Sequence, residues 1–61
     1  MSLHGEKITG IRVFNIMEEG ASAIEGMVNK AIKEINQEKI KIVDIQLTGD
    51  NLVIILGGEQ P

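Results

Sequence analysis

The hydrophobic pattern changes period twice along this chain, and the changes mark out four elements. From Lys7 to Ile16 apolar and polar residues alternate and β-branched types are frequent, which predicts a strand. Thr9, Ile11 and Val13 fall on one side of it. Ile8, Gly10, Arg12, Phe14 and Ile16 fall on the other, so both faces carry apolar groups. From Glu18 to Gln37 the period becomes helical. Ala21, Ile24, Val28, Ala31, Ile32 and Ile35 share one stripe, while Glu25, Asn29, Lys33, Asn36 and Gln37 lie opposite.

The start of that helix has two readings. Ser22-Ala23-Ile24-Glu25 fits a capping box, and so does Asn15-Ile16-Met17-Glu18 with Asn15 as the cap. Gly20 argues for the later start, but Glu18 and Glu19 suit the positive end of a helix dipole. The expected start is therefore near Glu18 or Glu19. Past the helix, Lys39 to Leu47 returns to period two, with Val43, Ile45 and Leu47 on one face and Ile40, Ile42, Asp44 and Gln46 on the other.

Thr48-Gly49-Asp50-Asn51 then predicts a turn, and Leu52 to Leu56 a last strand. A two-residue loop of Gly49-Asp50 suits type II′, where glycine takes positive φ at the first central position. That loop pairs Leu47 with Leu52, Ile45 with Ile54 and Val43 with Leu56, placing all six on one face for the helix to cover. Gly57 to Pro61 reads as a tail, since two glycines and a proline do not favour a strand.

Strand, helix, strand, strand is a βαββ order and predicts an α+β fold, one helix packed on a three-stranded antiparallel sheet. The last strand is apolar on both faces and belongs in the centre, which favours strand order 1-3-2 over the alternative 3-2-1. One domain spans residues 7–57, with residues 1–6 and 58–61 as flexible ends. No internal repeat or low-complexity segment interrupts it.

One helix covers one sheet face only. On this reading the opposite face displays Ile8, Phe14, Ile40, Ile42, Val53 and Ile55, interrupted by Arg12, Asp44 and Gln46; which side of the first strand turns toward the helix stays open, and either choice leaves apolar groups uncovered. Fully burying each such side chain is worth about 1.5–3 kcal/mol. Composition sharpens the point. A chain of 61 residues without cysteine has no disulfides or thiolate metal sites to reinforce a small core. What remains is association, so a homo-oligomer of two or more copies is expected, or docking on another protein. Phe14, Ile42, Val53 and Ile55 are the candidate interface.

Charge and motifs exclude more than they suggest. A net charge of −3 and a single aromatic residue, Phe14, argue against nucleic-acid binding, which needs a basic footprint and stacking groups. No apolar run is long enough to span a bilayer and no signal peptide is evident, so a cytoplasmic location without membrane partners is expected. His4 is the one histidine and has no nucleophile beside it. Ser22 reads as a helix cap, and adjacent Glu18 and Glu19 diverge on a helix. The glycines match no phosphate-binding fingerprint. Asp44, mid-strand among apolar residues, reads as a solvent or interface charge paired with a lysine such as Lys41. Lys30, Lys33, Lys39 and Lys41 gather near the helix end, where they complement its dipole. Neither an enzyme, a metal site nor a cofactor is expected.

Arg12-Val13-Phe14-Asn15, an amphipathic helix, and Lys41-Ile42-Val43-Asp44-Ile45-Gln46 follow one another in an order that resembles short sporulation-associated proteins of Gram-positive bacteria. That resemblance implies no assigned activity. The βαββ order also looks like dodecins, flavin-binding proteins that assemble into closed shells. Dodecins stack flavin on a tryptophan, which this chain lacks, so the likeness implies a tendency to assemble and no cofactor. A small-ligand pocket between protomers is the alternative reading.

Overall fold

A computed structural model describes residues 7–59. The elements are β1 (Gly10–Asn15), α1 (Ala21–Gln37), β2 (Ile40–Thr48) and β3 (Asn51–Glu59). The three strands form one sheet in the order β1-β3-β2, antiparallel throughout. This is the βαββ fold of the α+β class, with the apolar last strand in the centre.

The hairpin follows its turn chemistry. Gly49 has φ 61°, and Asp50 is not among the residues with positive φ, the combination that a type II′ loop requires. Leu47 pairs with Leu52 and Ile45 with Ile54, as expected. Beyond Asp44 the register shifts. Asp44 pairs with Ile55 and Ile42 with Leu56, so Val43 is an extra residue, a β-bulge. The expected pairing of Val43 with Leu56 is thereby corrected. Because side chains alternate, the bulge turns Ile40 and Ile42 onto the helix side, where both pack against the core.

Gly57 and Gly58 do not begin a tail; they continue β3 to Glu59. Gly57 is buried where β3 meets the bulge, and its missing side chain makes room for Val43. A second register shift, between Ile40 and Ile42, accommodates this glycine pair. Thr9 clamps the same region: its N–H donates to the Leu56 carbonyl at 2.8 Å, and its hydroxyl donates to the Gly57 carbonyl. Of the flexible ends predicted over 1–6 and 58–61, residues 1–6, 60 and 61 lie outside the described residues, while 58 and 59 belong to β3.

The helix begins later than expected, at Ala21, with Gly20 at the cap position and no side-chain cap. Glu18 explains the delay, since its φ of 67° is left-handed and incompatible with a helical turn. The Asn15 side chain does accept a backbone hydrogen bond, from Met17 N at 2.9 Å, but it closes a local turn. Glu19 N donates to the Ile16 carbonyl at 3.1 Å in the same turn, and Ser22 lies inside the first helical turn. At the other end Lys39 takes φ 61° and donates to the Asn36 carbonyl at 3.0 Å, the left-handed stop usually given to glycine. The last helical turn carries no basic residue, so Lys30 and Lys33 sit too early, and Lys39 and Lys41 too late, to be part of it.

The core is small. Among the described residues Ala31, Ile35, Leu52 and Ile54 are the buried apolar groups, with Phe14, Ile16, Ile24, Val28, Ile40, Ile42 and Leu56 packed around them. The helix does not cover the whole of its sheet face. It leaves Ile45 and Leu47 41% and 67% exposed, although both point to the helix side.

Candidate functional site

Two surfaces remain open: the sheet face away from α1, and a cleft between α1 and β1. Strand parity decides which residues occupy each. Phe14 and Leu52 are cross-strand partners, as are Arg12 and Ile54, and Leu52 and Ile54 are buried under the helix. The Arg12–Phe14–Ile16 side of β1 therefore faces α1, which corrects the expected display of Phe14 on the open face. The bulk of Phe14 accounts for this choice, because burying it removes more apolar area than burying Val13.

The open face then holds Ile11 and Val13 from β1 and, directly across from them, Ile55 and Val53 from β3. Ile11 is 57% and Val13 51% exposed, while Val53 and Ile55 are half-buried between neighbouring strands. Asp44 and Gln46 from β2 complete the face as its polar side, opposite Ile55 and Val53. Of the four candidate interface residues, the structure thus brings Val53 and Ile55 together on the open face and moves Phe14 and Ile42 to the core. Ile11 and Val13 take their place. Their shared side with Thr9 is legible in the sequence, but alternation alone does not say which side the helix covers.

The Asp44 carboxylate is engaged locally. Its Oδ1 accepts from the backbone N–H of Ile45 at 2.9 Å, and its Oδ2 accepts from Gln46 Nε2 at 3.2 Å. A two-residue hairpin closes on a hydrogen-bonded Thr48–Asn51 pair, so alternate residues along β2 direct their N–H groups away from β3. Ile45 is one of these, and Asp44 occupies its outward donor.

On the helix side, a cleft of about 280 Å³ is lined by Arg12, Phe14, Met27, Lys30, Ala31 and Glu34. Arg12 bridges it. Its Nη1 lies 3.2 Å from Glu34 Oε1, and its guanidinium stands 5.6 Å from the centre of the Phe14 ring. Both charged groups are more than a third exposed, so the ion pair contributes less than about 1 kcal/mol and chiefly orients Arg12. The floor is apolar and the rim carries both signs of charge.

Among the described residues no group of three His, Asp or Glu side chains is placed to hold a metal ion, and no helix is long and apolar enough to cross a membrane. His4 lies outside them. No family model matches this chain, and no curated protein or solved structure matches it significantly.

Proposed function

We propose that this chain is a small self-associating structural module whose protomers bury the open faces of their sheets against one another. The observation that supports it is the apolar patch of Ile11, Val13, Val53 and Ile55, two of them more than half exposed, on a molecule whose core among the described residues is four buried side chains. Each 100 Å² of apolar surface removed from water is worth about 2.5 kcal/mol, a large increment for a domain this size. No catalytic role is part of this proposal.

Sedimentation velocity between low micromolar and high micromolar concentration tests it. The expected result is a dimer or larger species, with Tm rising with protein concentration because association draws on the folded state. Ile55→Lys is expected to dissociate the assembly or unfold the chain, since it brings an unpaired charge into the contact. Ile11→Lys alters a side chain already exposed in the protomer and is expected to leave a folded monomer. A monomer with concentration-independent melting would overturn the reading.

A second reading is favoured by the cleft. A concave site with an apolar floor and a few charged groups suits a small ligand, although its volume is just below the usual range for such sites. Native mass spectrometry of protein purified without denaturation checks this: a retained small molecule, lost on Phe14→Ala, supports it, and bare protein counts against it.

A further inference from the structure

The two edges of the sheet are treated differently. On β2 the Val43 bulge breaks the regular ladder, and Asp44 both occupies the outward N–H of Ile45 and sets a negative charge beside it. Bulges and edge charges of this kind discourage another strand from adding. β1 has no bulge, and its one charge, Arg12, is paired with Glu34 of the helix. Its six residues, Gly10 to Asn15, pair with β3 in one unbroken register, with no proline, lysine or bulge. Among the described residues no strand pairs with its outer edge.

The direction of its backbone groups follows from one bond. Ile16 N donates to the Asp50 carbonyl at 2.7 Å, continuing the register in which Asn15 faces Asn51. Residues of the same parity, Arg12 and Phe14, therefore direct their backbone groups toward β3. Ile11, Val13 and Asn15 direct theirs outward.

We propose that the outer edge of β1 pairs antiparallel with β1 of a second copy, about a two-fold axis at Val13, joining two sheets into one of six strands. This rests on the reading of the chain as self-associating and names a contact distinct from the face. Two-fold symmetry between antiparallel edges keeps both helices on the same side of the joined sheet. Outward backbone groups then meet as Val13 with the partner's Val13, and Ile11 with the partner's Asn15. In that register Arg12 lies across from the partner's Phe14, extending the guanidinium–ring contact already present within the protomer. Of the two registers two residues away, one sets Arg12 against the partner's Arg12, where like charges directly opposite are unfavourable, and the other gives up the contact of Arg12 with the partner's Phe14. The pairing also doubles the apolar face, since Ile11 and Val13 of both copies become its middle. Each protomer then offers two self-complementary surfaces, edge and face, so the assembly grows beyond a dimer.

The absence of native cysteine makes the register directly testable. Under mild oxidation, Val13→Cys is expected to form a disulfide-linked dimer, and a mixture of Ile11→Cys with Asn15→Cys a linked hetero-pair. Ile11→Cys alone is expected to stay largely unlinked. Val13→Pro removes an N–H that the protomer does not use, so it is expected to keep a folded circular-dichroism spectrum while losing the edge contact; Val13→Thr is expected to keep the contact. Association that persists without these cross-links, and that Val13→Pro leaves unchanged, would overturn the edge pairing and leave the face contact standing. A chain that is monomeric at every concentration would overturn both.

Discussion

A methyl group added at Gly57 would sit 2.8 Å from Cγ2 of Val43, closer than carbon atoms approach without something moving. The Lys7 carbonyl oxygen, 3.2 Å away, closes the other side, so relief requires a shift of Val43 or of backbone. The bulge and the glycine are one device: the extra residue in β2 drives Val43 toward β3, and β3 answers with a residue lacking a side chain.

Gly57→Ala is accordingly expected to destabilise the fold by about 1–3 kcal/mol, the usual range for overpacking. Gly58 makes the control, because a Cβ there meets nothing within 4 Å. Gly58→Ala is expected to change stability by less than about 0.5 kcal/mol. Urea melts of the two variants at one protein concentration provide the comparison, and equal effects would contradict it.

Gly49 is required for backbone conformation and not for space, since a Cβ at this position also meets nothing. Its φ of 61° makes any side chain costly and a β-branched one most so. Gly49→Val is expected to cost about 1–2 kcal/mol or more, against less than about 0.5 kcal/mol for Asp50→Ala. The midpoints of denaturant unfolding read this directly.

Lys39 occupies a left-handed position at which glycine is free of steric cost. Lys39→Gly is expected to raise stability by about 0.5–1 kcal/mol, the relieved strain exceeding the extra freedom glycine gives the unfolded chain. Thermal melts at fixed concentration check the sign. A fall in Tm would show that the lysine side chain contributes more than its backbone conformation costs.

The hairpin is the part of the fold most legible in the sequence, because Gly49-Asp50 fixes the loop length and the loop length fixes the pairing of Leu47 with Leu52 and Ile45 with Ile54. Strand order was legible too, from the two-sided apolar character of β3. The bulge at Val43 was marked by a change of phase, since the apolar positions run Ile40, Ile42 and then Val43, Ile45, Leu47, but reading the segment as one regular strand hid it; the buried Gly57 across from it is the second mark. That one extra residue moved Ile42 from the open face to the core. Likewise Glu18 and Glu19 looked like a first helical turn, yet the left-handed Glu18 belongs to the turn before it. The open face was half legible: Val53 and Ile55 follow from the hairpin register, whereas Ile11 and Val13 required knowing that Phe14 turns inward.

The place of β1 in the sheet also constrains how the molecule comes to be. Its one partner strand lies across the whole intervening helix and hairpin, so Asn15 meets Asn51 only after the chain between them has closed into a long loop. The β2–β3 hairpin and α1 depend on near neighbours in sequence and form on microsecond timescales. Docking of β1 is the step burdened by loop-closure entropy, and by this argument it comes last and limits the folding rate. Until then β1 is an unattached strand whose complement is displayed equally by every other copy in solution. High concentration during refolding therefore favours exchange of β1 between molecules, and slow dilution favours each chain closing on itself.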